Sequence, residues 1–143
     1  MERADWAEQR RRAIAGHAAD LERRRAAEIE QARRLIADFA REARERGLPV
    51  EPLTARAYHG RGTYRTGLRG WYLRPDRSVA VGEDGEFYIL TVPGSLRARF
   101  TGVAVPPAEP RLVIGEGGRD GESMPLAALL RQRLNERPSI ADR

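Results

Sequence analysis

The chain has no cysteine, no lysine and no long apolar run. Without cysteine, disulfides, thiolate zinc sites and cysteine nucleophiles are all excluded. No window approaches the roughly 18 apolar residues that a membrane span needs. Charged residues stand directly after Met1 at Glu2, Arg3 and Asp5, where a signal peptide would need an apolar core. A cytoplasmic location and no membrane partner are the expectation.

Histidine is almost as scarce, with His17 in a charged helical stretch and His59 beside Tyr58 and Gly60. His59 is the one candidate general base. No serine, threonine or carboxylate is placed by sequence to act with it, and no nucleophile elbow occurs. No catalytic residue is therefore assigned, no cofactor is expected, and the protein reads as a non-enzyme. Glu83, Asp84 and Glu86 are acids of a hairpin turn and do not make a calcium loop, so no metal site is expected either.

Proline is absent from residues 2–46, which hold a single glycine and are mostly Ala, Arg, Glu and Leu. These are strong helix formers, and the composition predicts one long charged helix. Asp5 and Glu8 have capping-box spacing, and Gly47 before Pro49 supplies a stop. Oppositely charged residues four apart recur at Glu8 and Arg12, Asp20 and Arg24, Glu30 and Arg34, and Glu42 and Arg46. Each such pair adds about 0.2–0.5 kcal/mol to an isolated helix.

At 100° per residue, Ile14, Ala18, Leu21, Ile29, Ala32, Ile36, Phe39 and Ala43 share one stripe, which keeps its phase across Gly16. The C-terminal half of the helix is apolar enough to dock on the domain that follows. The N-terminal half is too thinly apolar for that, and either projects into solvent or meets a partner. A structural role follows as one functional reading, in which the helix pairs with itself or another protein through Ile14, Leu21, Ile29 and Ile36.

Beyond the helix (1–47) and a linker (48–52), residues 53–143 read as a small domain in which the apolar period falls to 2. Strands are expected over 54–59, 69–74, 78–81, 86–92, 96–100 and 111–114, separated by Pro- and Gly-containing turns. Residues 103–110, with three prolines, should cross a surface in extended form. A closing amphipathic helix is expected from near Ser123, with Leu126, Leu129, Leu130 and Leu134 on one face. The fold class is α+β: long helix, antiparallel sheet of four to six short strands, C-terminal helix.

All 26 basic residues are arginine, which reads as codon bias beside the abundant Ala, Gly and Pro. Their placement says more. Residues 54–77 hold six arginines against the single Asp76, a local excess of five that equals the net charge of the whole chain. Tyr58, His59, Tyr64, Trp71 and Tyr72 are interleaved with them. Cations that track phosphates beside rings that stack on bases form the mixture used on single-stranded nucleic acid. Arg61, Arg65, Arg69 and Arg74 are thus candidates for phosphates, with Tyr58, Tyr64 and Trp71 as stacking surfaces, toward nucleic acid or another polyanion. The competing reading makes the rings core and pairs the arginines with Glu83, Asp84 and Glu86. Arg97 and Arg99 would extend the basic surface if the strands neighbour each other.

The stretch Gly115 to Gly121 between a strand and a helix lacks both the G-x-G-x-x-G spacing and a P-loop lysine, and reads as a turn. Trp71-Tyr72-Leu73 spells the tripeptide after which the WYL regulatory domains are named. That match covers three residues without the surrounding family pattern, and is read as coincidence. The run RTGLRGWYLRPDRSVAVGEDGEFYIL over 65–90, with the arginine-rich helix before it, resembles small uncharacterised helix-plus-β proteins of high-GC bacteria. The resemblance implies the architecture and brings no activity with it.

Overall fold

The computed structural model describes residues 2–115 and 123–136. The turn expected at 115–121 lies outside them except for Gly115. Helix α1 (Glu2–Glu45) is one unbroken element of 44 residues, about 66 Å long, and passes through Gly16 without a break. Glu8 pairs with Arg12 at 2.9 Å and Glu42 with Arg46 at 2.7 Å. Asp20 reaches Arg23 instead of Arg24. No described helix is long and apolar enough to cross a membrane.

Five strands follow: β1 (Glu51–Ala57), β2 (Thr63–Tyr72), β3 (Val79–Gly82), β4 (Phe87–Ile89) and β5 (Thr91–Val92). Their hydrogen-bonded order is β4-β3-β2-β1-β5. Three of the pairings are antiparallel, but β5 joins β1 in parallel, so the expected antiparallel sheet is in fact mixed. The two outermost strands are separated in the chain by Leu90 alone. Leu90 donates its N–H to the Ser78 carbonyl at 2.8 Å and accepts from the Arg56 N–H at 2.7 Å, and so closes the sheet on itself. The end strands of the order are thereby joined through one residue. Strand β1 begins at Glu51, inside the stretch read as linker.

The pleat then separates the two larger of three buried apolar clusters. Trp71, Leu73, Val79, Val81 and Phe87 point outward from the roll and meet Ala32, Ile36, Phe39, Ala40 and Ala43 of α1. Leu53, Tyr72, Ala80, Tyr88 and Leu90 fill its interior. Gly70 faces Gly82 across β2 and β3, where a Cβ at Gly70 would overlap the Val81 carbonyl. On the helix side, α3 (Leu126–Asn135) adds Leu126, Leu129 and Leu130, preceded by a two-strand ladder of β6 (Val113–Ile114) and β7 (Met124–Pro125). Arg46 ties the two helices by donating to the Leu134 carbonyl and to Asn135 Oδ1, both at 3.3 Å.

Residues 96–100 are not a strand. Helix α2 (Leu96–Thr101) starts at Ser95, whose Oγ accepts the Ala98 N–H at 3.3 Å, and stops at Gly102, with φ 78°. Leu96, Ala98 and Phe100 satisfy a period of 2, but Leu96 and Phe100 also stand four apart on one helical face. The caps on either side decide between the two periods. Arg97 and Arg99 consequently diverge around α2 instead of sharing a strand face.

Trp71 is fully buried at the helix–sheet seam. Its ring meets Phe39 edge to face, with centroids 5.9 Å apart, and its indole N–H donates to the Leu48 carbonyl at 3.2 Å. Trp71→Ala is expected to cost about 3–5 kcal/mol, read as a lower urea midpoint. In the interior, Tyr88 donates to Asp84 Oδ2 at 2.5 Å. Burial first, and then the Asp84 carboxylate, push its phenol up to about 12. The neutral phenol is favoured in the folded state, so its stabilisation holds below the ordinary value of 10.0 and is lost as pH rises from there toward 12. Urea midpoints taken across that interval should fall, and Tyr88→Phe should make the fall shallower.

Candidate functional site

The β1–β2 hairpin tip and α2 build one corner of the molecule together. Tyr58 N–H donates to the Val92 carbonyl at 2.9 Å, which holds the tip against β5. Tyr64, buried below the tip, accepts the Ser95 N–H on its Oη at 3.0 Å and so fixes the start of α2. The other end is fixed by Val103 N–H donating to the Arg65 carbonyl at 2.8 Å. The Arg65 guanidinium donates to the Phe100 carbonyl at 3.5 Å. Pinned at both ends on β2, α2 turns its small Ala98 inward and leaves its large residues outside: Leu96 is 77% exposed and Phe100 81%.

Also exposed are Tyr58, at 61%, and Arg61, Arg65, Arg97 and Arg99. Arg61, Arg99 and His59 line a shallow hollow between the hairpin tip and Leu96. None of these four arginines makes an ion pair among the described residues. The segments that form the corner supply no carboxylate, because residues 52–75 and 87–108 contain no Asp or Glu. The corner therefore carries uncompensated positive charge next to exposed rings.

The seven residues singled out in the sequence are split by the fold. Arg61, Arg65 and Tyr58 belong to the corner. Arg69 lies further along β2, its Nε 3.8 Å from Glu83 and its guanidinium donating to the Val50 carbonyl at 3.4 Å. Arg74 is half-buried beside Asp76. Burial works against the charge of Asp76, but the Ser78 hydroxyl and N–H, with Arg74 and then Arg56 nearby, outweigh it and hold the carboxyl below its ordinary value. Arg77 stacks over the Tyr72 ring at 5.2 Å. Trp71 and Tyr64 cannot stack on a base, since both are buried: Trp71 holds α1 and Tyr64 positions α2. In their place the corner presents Phe100 and Leu96. Their signal in the sequence was the helix-capping pair Ser95 and Gly102 around an acid-free run.

The stripe on α1 is divided too. Ile36 is buried in the core and Ile29 is half-buried, so neither is open to a partner. Ile14 and Leu21 are exposed, as is Trp6, over whose ring Arg10 lies at 5.3 Å. The stripe does not change face between the free and docked halves. A second copy aligned parallel and in register would thus run into the domain packed on Ala32, Ile36 and Phe39. Laid antiparallel about the level of Gly16, a copy would set Arg10 beside the second copy's Glu22 and Glu8 beside its Arg24, unlike against unlike.

Comparison with known protein families, curated proteins and solved structures gave no match.

Proposed function

We propose that the protein is a non-enzymatic binding module that holds a nucleic acid or similar polyanion on the corner built by the hairpin tip and α2. The observation that carries this reading is the meeting of two acid-free segments, which sets Arg61 and Arg99 on one hollow, Arg65 against the end of α2 and Arg97 on its other flank. A guanidinium with no carboxylate partner keeps its donors for phosphate, and arginine presents them in a planar fork suited to two oxygens at once. Arg69 lies by Glu83 and Arg74 near Asp76, and both stand outside the proposed contact.

Four phosphate contacts imply a slope of about −3 in log affinity against log salt on a single strand. Changing Arg61, Arg65, Arg97 and Arg99 together to Ala is expected to abolish binding and with it the salt dependence. Changing Arg69 and Arg74 should have little effect on either. Fluorescence anisotropy with a labelled oligonucleotide at about 50 mM salt checks both. No binding at that salt, or binding untouched by the fourfold change, contradicts the reading.

No self-association is assigned to the free half of α1: parallel pairing meets the steric bar given above, and the antiparallel pairing about Gly16, which charge permits, is tested directly. Light scattering of the full chain should return the monomer mass, and Ile14→Glu with Leu21→Glu should leave it unchanged. A dimer that those two changes dissolve would overturn this.

A further inference from the structure

We infer that the corner takes an unpaired nucleic-acid strand, with bases stacked on Phe100 and Tyr58 and phosphates on Arg61, Arg65 and Arg99. The inference rests on the polyanion reading above and adds the class of ligand.

The reason lies in what the two rings can do. Phe100 and Tyr58 are among the most exposed apolar residues of the domain, Phe100 with Leu96 on one face of α2 and Tyr58 at the hairpin tip before Gly60 and Arg61. In a duplex the faces of the bases are already stacked on one another, and a ring on the protein surface meets only sugar and phosphate. A single strand offers free faces, and every base has one, so an exposed ring gains contact whatever the sequence. The surroundings suit a strand in other ways. Gly60, Gly62 and Gly94 border the hollow and present backbone without side chains. Arg61 and Arg99 line that hollow together. Arg65 is held at the C-terminal end of α2 by its bond to the Phe100 backbone carbonyl.

A duplex reader would need a different surface. Helix α2 is six residues long, about 9 Å, and is pinned at both ends, so it cannot be laid along a major groove. An anionic membrane would also attract arginines beside Leu96 and Phe100. The hollow between tip and helix favours a strand over a flat surface, because Arg61 and Arg99 both line it and can flank a ligand laid between them.

The test compares four probes on the full-length protein: a mixed-sequence RNA strand of about ten nucleotides, an abasic strand of the same length, the matching duplex, and phosphatidylglycerol vesicles. The RNA strand should bind at least about fivefold more tightly than the abasic strand. Phe100→Ala and Tyr58→Ala should remove that difference while binding of the abasic strand persists. Both side chains are exposed, and unchanged circular dichroism will confirm that the variants fold. Equal affinity for RNA and abasic strands, with loss in the arginine variants, would overturn stacking and leave the polyanion reading standing. A preference for duplex, or vesicle binding that exceeds RNA binding and is lost in Phe100→Ala, would overturn the inference in favour of that ligand. Absence of binding to every probe would remove the polyanion reading itself.

Discussion

Trp71 has to be buried, and its burial governs where everything else can go. It sits late in β2 with its side chain on the outer face of the rolled sheet, where only a second layer can cover it. Helix α1 provides that layer through Phe39 and its neighbours, and the first residues after the helix provide the Leu48 carbonyl for the indole N–H. A buried indole needs that acceptor, since an unpaired donor would cost about 1–3 kcal/mol. The helix end and the start of β1 are thereby held in one position. Strand alternation does the rest, sending Tyr72 into the roll and Leu73 back to the helix.

One consequence is that the ring-rich middle of the chain is spent on structure. Trp71 binds the helix to the sheet, and Tyr88, anchored on Asp84, fills the interior. Tyr72 accepts the Thr54 N–H at 2.8 Å, and Tyr64 anchors α2. The exposed surface chemistry is left to the far corner, where the hairpin tip and α2 project and where the chain places no acid. In the rest of the 54–77 window Arg69 lies by Glu83, Arg74 and Arg56 lie within reach of Asp76, and Arg77 is laid over Tyr72.

The long helix could be read from composition alone because nothing in tertiary structure competes with 44 residues of strong helix formers ended by Gly47. The hairpin at Gly85 and the closing leucine face of α3 were legible for similar local reasons. Residues 96–100 were not, because three apolar residues in five fit either period and only the caps separate them. The parallel pairing of β5 with β1 was also out of reach, since it depends on the roll closing at Leu90 and has no local signature. For the candidate site, charge pointed to the 54–77 window, and the fold gathers only part of that window at the corner. Arg61, Arg65 and Tyr58 were visible by sequence proximity. Arg97, Arg99 and Phe100 join them only because Tyr64 and Arg65 pin α2 onto β2.

The central claim, that Trp71 is a structural side chain closed off by α1, can be measured directly because the chain has one other tryptophan, the exposed Trp6. With Trp6→Phe, the remaining emission comes from Trp71. It should be blue-shifted, shielded from acrylamide, and unchanged when an oligonucleotide is added. Red-shifted emission that acrylamide or the oligonucleotide quenches would put Trp71 at the surface and contradict the account.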